Sequence, residues 1–239
     1  MVKENLVSVV IPSYNRFNFL VNAIKSVENQ TYKNIEIIII NDGSSQREYF
    51  ENSFGKNIKI IHMDQNQKQY RGFPSDSIRN IGVENSNGKY IAFLDDDDIW
   101  LDKKLEVQIN ALENSYCKIS STEGFFGNGE FDKNKNYELY NSEKFYKKIK
   151  KKYKGTGLFK NKEFPNIWDH EFIKVHNCII LSSVVVEKEV FDLYGGFNGL
   201  KNGVSDYDCW KGILQLTDLI YINQPLFYYD GDHGSGRNY

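Results

Sequence analysis

The stretch YIAFLDDDD, residues 90–98, sets five apolar residues directly against four consecutive aspartates. A five-residue apolar run of this kind reads as a strand buried on both faces. Four adjacent carboxylates repel and raise one another's pKa, so they stay ionised readily only around a cation. Hard oxygen ligands suit Mg²⁺ or Mn²⁺, ions that typically bridge protein carboxylates to substrate phosphates. A calcium-binding helix–loop–helix fits poorly, because Trp100 takes the position of the loop glycine.

Upstream, three further strands are predicted. They cover residues 6–11 (LVSVVI), 35–40 (IEIIII) and 58–62. Helical spacing places helices over residues 17–30, 46–54 and 75–85. Downstream, Asp102 is expected to cap a helix running to Leu112, its side chain accepting from first-turn amides. Strand and helix therefore alternate four times in about the first 115 residues, which predicts an α/β fold with a mostly parallel sheet flanked by helices. Polar clusters follow strands one, two and four, at the edge where open α/β sheets bind ligands.

The remainder is less regular. Residues 118–126 and 176–186 read as strands, 187–193 and 206–216 as helices, and 219–222 and 225–229 as two more strands. No linker interrupts the chain. One domain over 1–239 is expected, with a nucleotide-binding half (1–115) and a less regular second half (116–239).

Composition narrows the function. The 239 residues carry 30 basic and 32 acidic groups, a net charge of −2. Nine lysines, and no acidic residue, fall from Lys144 to Lys162, leaving 21 basic against 32 acidic groups elsewhere. An acidic body with one basic belt is not the footprint of a nucleic-acid binder. Three dispersed cysteines suggest reduced thiols, and no signal core or membrane-length apolar run occurs. A cytoplasmic protein is expected, with possible peripheral membrane contact through the belt. Trp100, Trp168 and Trp210 are expected in the core.

Four motifs occur in order: Pro12-Ser13-Tyr14-Asn15-Arg16, Asn41-Asp42-Gly43-Ser44, Ile78-Arg79-Asn80-Ile81-Gly82 and Phe93-Leu94-Asp95-Asp96-Asp97-Asp98. Together they resemble the family 2 glycosyltransferases, whose fold is GT-A. The resemblance is dense to about residue 115. It continues more thinly through Gly195-Gly196-Phe197-Asn198 and Asp206-Tyr207-Asp208. No P-loop or GxGxxG is present, which weakens ATPase and dehydrogenase readings.

The resemblance implies an inverting transferase. It would move sugar from a nucleoside-diphosphate sugar, a UDP-sugar foremost, to a hydroxyl of a glycan, lipid-linked or protein acceptor. It implies that Pro12, Tyr14 and Arg16 line the nucleotide pocket, with Tyr14 stacking on the base. Asp42 would recognise base and ribose, and Arg79 the uracil or diphosphate. The spacing between Asn66 and Arg79 departs from the common family pattern, so Arg71 and Gly72 stand beside Arg79 as candidates. Asp95-Asp96-Asp97 fills the DxD slot. Asp97 is the metal ligand, Asp95 or Asp96 contacts ribose or metal-bound water, and a one-residue slip keeps Asp98 a candidate. By the same resemblance Asp206 is the general base, although Ser205 replaces the usual Glu, and Asp208 is the runner-up. His233, in the tail, would meet the metal or diphosphate. The rival readings are a metal-dependent nucleotidyltransferase or phosphohydrolase, and an inactive sugar-nucleotide-binding module.

Overall fold

A computed structural model describes residues 3–67, 76–159, 163–197 and 205–232. Arg71, Gly72 and His233 lie outside these residues.

The long strands are β1 (Lys3–Ser13), β2 (Ile35–Asn41), β3 (Ile58–His62), β4 (Gly88–Phe93), β6 (Ile119–Gly127) and β10 (Leu219–Asp230). Shorter pieces are β5 (Ile99–Trp100), β7 (Glu138–Leu139), β8 (Ile167–Trp168) and β9 (Val185–Glu187). They join in one sheet of order β3-β2-β1-β4-β9-β6-β10-β5, with β7 paired to β6 and β8 to β10. The long strands pair in parallel: β3 with β2, β2 with β1, β1 with β4, and β6 with β10. The antiparallel pairings all involve a short strand.

Successive side chains of a strand face opposite sides of a sheet, so a strand covered on both sides must be apolar throughout. In β1, Val10 joins one buried cluster while Val7, Val9 and Ile11 join the other. In β2, Ile38 and Ile40 face one side and Ile37 and Ile39 the other. The helices covering the sheet are α1 (Phe17–Glu28), α2 (Glu48–Glu51), α3 (Asp76–Glu84) and α4 (Lys104–Glu113) in the first half. The second half adds α5 (Tyr146–Lys152), α6 (His170–Val175), α7 (Lys188–Tyr194) and α8 (Ser205–Ile213). Helix α1 buries Leu20, Ala23, Ile24 and Val27, a stripe at three- and four-residue spacing. Helix α3 lies tight on the sheet. A Cβ added to Gly82 would meet Val10 at 2.5 Å and Ile40 at 2.8 Å, so only glycine permits this approach. All three tryptophans are buried as expected.

Three expectations need correction. Helix α4 begins at Lys104, and its cap residue, Lys103, makes no side-chain capping bond, so Asp102 is not the cap. Asp102 instead offers its carbonyl to the Thr31 amide at 2.8 Å, which ties α4 to the end of α1. The predicted strand over 176–186 contracts to β9. Before it, Leu181–Ser183 forms a 3-10 turn, because the Ser183 amide and hydroxyl both bond the Ile180 carbonyl. The two predicted strands over 219–229 are one strand, β10, with register shifts on either side of Pro225. Proline has no amide hydrogen for the ladder, so the pairing skips there rather than ending.

Candidate active site

The C-terminal ends of β1, β2 and β4 converge on one patch of buried polar groups. The turn after β1 passes through Asn15, at φ 51°, a conformation asparagine tolerates better than most residues. From there the Asn15 amide donates to Ser44 Oγ at 2.9 Å, and the Ser45 amide donates to Asn15 Oδ1 at 2.8 Å. The β1 turn is thereby stitched to the β2 turn. Gly43 sits at φ 75°, where an added Cβ would lie 2.4 Å from the backbone of Gln65. Only glycine lets the segment after β3 pack here. That segment supplies the partners of Asp42: the Gln67 amide donates to Oδ1 and Asn66 Nδ2 to Oδ2, both at 2.9 Å. Asp42 is 1% exposed, and burial pushes its carboxyl up to about 6 despite the Gln67 amide.

The four aspartates take four different environments. Asp95 is the most exposed and pairs with Arg79 from α3. Asp96 is buried and turned towards the C-terminal end of β1, accepting from Ser13 Oγ at 2.7 Å and Arg16 Nη1 at 3.1 Å. Burial pushes it up to about 7, with Arg16 opposing and Asp97 adding to the rise. Asp97 accepts from Arg16 Nη2 at 2.7 Å. Asp98 is 1% exposed and accepts the Asp230 amide on Oδ1 at 3.1 Å. Its Oδ2 is enclosed and accepts no well-formed hydrogen bond among the described residues, with the Ser182 hydroxyl near enough to oppose the rise in its carboxyl pKa. Burial and then its charged neighbours hold both Asp97 and Asp98 above the usual carboxylate range.

Asp95, Asp97 and Asp98 each present an oxygen, and these oxygens lie within 4.8 Å of one another. Three hard donors at this spacing, one of them from a residue that also holds an orphaned buried oxygen, fit a divalent cation such as Mg²⁺ or Mn²⁺. Among the described residues Asp98 thus joins Asp97 in the cluster, and Asp96 points elsewhere.

The remaining predicted residues fall around this patch. Pro12 is buried in β1 opposite Ile40, and Tyr14 is half-buried just beyond the strand end. Arg16 runs under Phe19, its guanidinium 5.0 Å from the ring centre, towards Asp96 and Asp97. Asp206 lies in the first turn of α8, where Oδ1 accepts the Tyr207 amide at 2.6 Å. Asp208 is engaged by Lys211 at 2.6 Å.

Sequence reasoning missed several contributors. Ser13 and Tyr49 build the floor beneath Asp96, and Tyr49 also takes the Arg16 amide at 3.1 Å. Ser182, in the 3-10 turn before β9, takes the Asp95 amide on Oγ at 3.1 Å and the Trp100 indole on its carbonyl at 2.8 Å. The adjacent serines in an apolar run were the available signal, since buried hydroxyls need partners. Tyr140 opens a π-helical turn, Tyr140–Lys144, in the weakly patterned segment. Its hydroxyl is pushed up to about 12 by burial and then by Asp98, with Cys178 and Asp206 contributing.

Residues 8–170 match the model of glycosyl transferase family 2. An uncharacterized glycosyltransferase of Rickettsia bellii is 39% identical over 124 residues, covering 51% of this chain and 17% of that protein. S. aureus TarS in complex with UDP-GlcNAc superimposes with a TM-score of 0.64 at 15% identity, over 96% of this chain and 60% of that one. A mannosyltransferase from Pyrobaculum calidifontis, in complex with GDP-Man and Mn²⁺, gives 0.64 at 14% identity, over 96% and 58%. Each of these relatives is longer than this chain, which spans less than two thirds of it. The fold is that of the GT-A glycosyltransferases, and the chain belongs to glycosyl transferase family 2.

Proposed function

We propose that the chain transfers a sugar from a UDP-sugar to an acceptor hydroxyl with inversion at the anomeric carbon, using Asp206 as general base. The observation that carries this reading is the Asp95–Asp97–Asp98 cluster at the C-terminal end of β4, with Arg16 and Arg79 on its carboxylates; Asp206, in the first turn of α8, is the base proposed to serve it. A cation-binding group and a proton acceptor on the same space are what a one-step displacement needs.

Asp95, Asp97 and Asp98 would hold Mn²⁺ or Mg²⁺, which when bound neutralises charge on the departing diphosphate. Asp42 accepts from a uracil N–H or a ribose hydroxyl, its carboxylate held in place by Asn66 and Gln67. Tyr14 offers a ring for the base, and Arg79 a planar fork of donors beside Asp95. As the acceptor oxygen bonds to the anomeric carbon, its proton passes to Asp206. The bond from that carbon to the phosphate oxygen breaks, and the electron pair leaves with UDP. A single base without a protein nucleophile gives inversion. Asp208, the second candidate, is paired with Lys211. The UDP-GlcNAc bound by TarS and the Mn²⁺ with the mannosyltransferase support donor type and ion class.

The test is UDP release with Mn²⁺ across a panel of UDP-sugars and acceptor glycans. Turnover in the wild type, and its loss with retained UDP binding in Asp206→Asn, is expected. Nucleotide binding with no turnover on any acceptor would leave a binding module. Undiminished transfer by Asp206→Asn would move the base elsewhere.

A further inference from the structure

Tyr140 and Tyr229 differ from the other tyrosines around the site. Tyr49, Tyr153, Tyr207, Tyr221 and Tyr228 each engage their hydroxyl with a partner inside the chain. Among the described residues, the hydroxyls of Tyr140 and Tyr229 have no hydrogen-bond partner, and neither is an enclosed orphan like Asp98 Oδ2. Both residues are half-buried, and both oxygens keep access to solvent. A half-buried hydroxyl left open in this way is a group prepared for a ligand's hydrogen bond.

Their location says which ligand. The two rings meet edge to face, with centres 5.3 Å apart. Phe126 stacks on Tyr229 and Phe145 backs Tyr140, at 6.1 and 4.7 Å. Tyr229 precedes Asp230, whose amide holds Asp98. After burial, the Asp98 carboxylate is the largest influence holding both hydroxyls above the usual tyrosine range. The backbone just after Tyr140 is pinned by Glu123, which is fully buried and accepts the Asn141 and Ser142 amides, each at 3.0 Å. An aromatic wall, fixed from behind and open in front, therefore borders the cation cluster.

We propose that Tyr140 and Tyr229 form the wall that receives the neutral pyranose ring of the donor, their hydroxyls hydrogen-bonding to its hydroxyl groups. The inference rests on the donor reading above. Rigid aromatic faces suit the apolar faces of a sugar ring, and tyrosine adds a polar handle at the edge. The two hydroxyls of the wall are uncharged, so they pair with the hydroxyls of a neutral sugar and offer no salt bridge to a carboxylated one.

Calorimetric titration with Mn²⁺ and, in turn, UDP, UDP-glucose, UDP-GlcNAc and UDP-glucuronate separates the claims. In Tyr140→Phe and Tyr229→Phe, UDP affinity should stay within about twofold of wild type. The affinity for the best UDP-sugar relative to UDP should fall about fivefold per lost hydrogen bond. UDP-glucuronate should be the weakest wild-type ligand of the four. Melting temperature should not move, because neither hydroxyl has a partner to lose. An unchanged sugar-to-UDP ratio in the double variant, a preference for UDP-glucuronate, or a large drop in melting temperature would overturn the wall. A wild type that binds none of the four would overturn the donor reading itself.

Discussion

Glu123 and Asp98 are both buried carboxylates near the same edge of the sheet, and the protein treats them in opposite ways. Glu123 accepts from the amides of Gly124 and Asn141 on one oxygen. Its other oxygen accepts from the Ser142 amide and hydroxyl and from the Tyr221 hydroxyl. Asp98 receives the Asp230 amide on one oxygen, has no well-formed hydrogen bond on the other, and sits beside the like charges of Asp97 and Asp95. Burying a charge is costly unless donors surround it. Glu123 has that compensation and works as a structural pin. Asp98 lacks part of it, and the missing part has the chemistry of a cation. The distinction between the pin and the ligand can be tested by removing each.

The largest effect is expected at Asp98. Asp98→Asn should lower transfer at least about a thousandfold, because the charge on the leaving diphosphate loses its counterweight. It should also abolish the rise in melting temperature that Mn²⁺ gives the wild type. Without metal the variant should melt higher than wild type. The folded-state pKa of Asp98 is raised, so folding favours its protonated form. The stability that this form supplies is present at low pH and lost as pH rises through the raised value. A neutral amide removes that loss at pH 8. Equal Mn²⁺ stabilisation in wild type and variant would make Asp98 a second structural carboxylate.

Glu123→Gln should behave in the opposite sense. An amide nitrogen would face donors that now meet a carboxylate oxygen, so stability should fall by about 2–3 kcal/mol, measured by urea unfolding. Mn²⁺ should still stabilise the variant, and UDP affinity should change little. Loss of the metal response with intact stability would reverse the assignments of the two carboxylates.

This contrast also explains what was readable in the sequence. β1, β2 and β4 were legible because strands covered on both faces must be apolar, and few other structures make a run such as IEIIII. The aspartate run was legible because its charge density has a cost that points to a cation. Which aspartate does what was not. Four identical residues carry no label, and only the turn geometry sends Asp96 to Ser13 while Asp98 keeps an oxygen without a well-formed hydrogen bond. Glu123 was invisible, since a single glutamate in a strand says nothing of donors brought from 18 and 98 residues away. Tyr140 was hidden for the same reason, in a π-helical turn that no simple periodicity marks. The second half of the chain positions its groups through long-range contacts, whereas the first half does so through regular strand ends.

A smaller effect is expected at Asp42, a third buried carboxylate that stands between the two extremes. Both its oxygens have partners, yet its value is about 6. Uridine, which has no phosphate to involve a metal, isolates its contribution. Binding followed by NMR should weaken about tenfold for each pH unit below 6, as the acceptor becomes a neutral acid. Asp42→Asn should bind more weakly at pH 8 and lose the pH dependence. A wild-type profile flat from pH 5 to 8 would remove Asp42 from nucleoside recognition.

The smallest effect per residue belongs to helix α5, whose lysines are neither buried nor paired among the described residues. Helix α5 buries Ile149, and Tyr153 just beyond it is buried too. Lys147, Lys148, Lys150, Lys151, Lys152 and Lys154 stay exposed. Among the described residues none of these six forms an ion pair, although Lys144 reaches Glu138 at 3.4 Å. No helix of the described residues is long and apolar enough to cross a membrane. A solvated basic face on a helix anchored through its apolar side can rest on an anionic surface, and each lysine near such a surface contributes about 1 kcal/mol. Vesicles of phosphatidylglycerol and phosphatidylcholine should therefore sediment the wild type. Lys150→Glu and Lys151→Glu should each weaken that binding several-fold, and 0.5 M salt should weaken it further. Because these side chains lie outside the carboxylate patch, UDP affinity should stay constant throughout. Sedimentation indifferent to both charge reversal and salt would show the belt to be a solubilising face and nothing more.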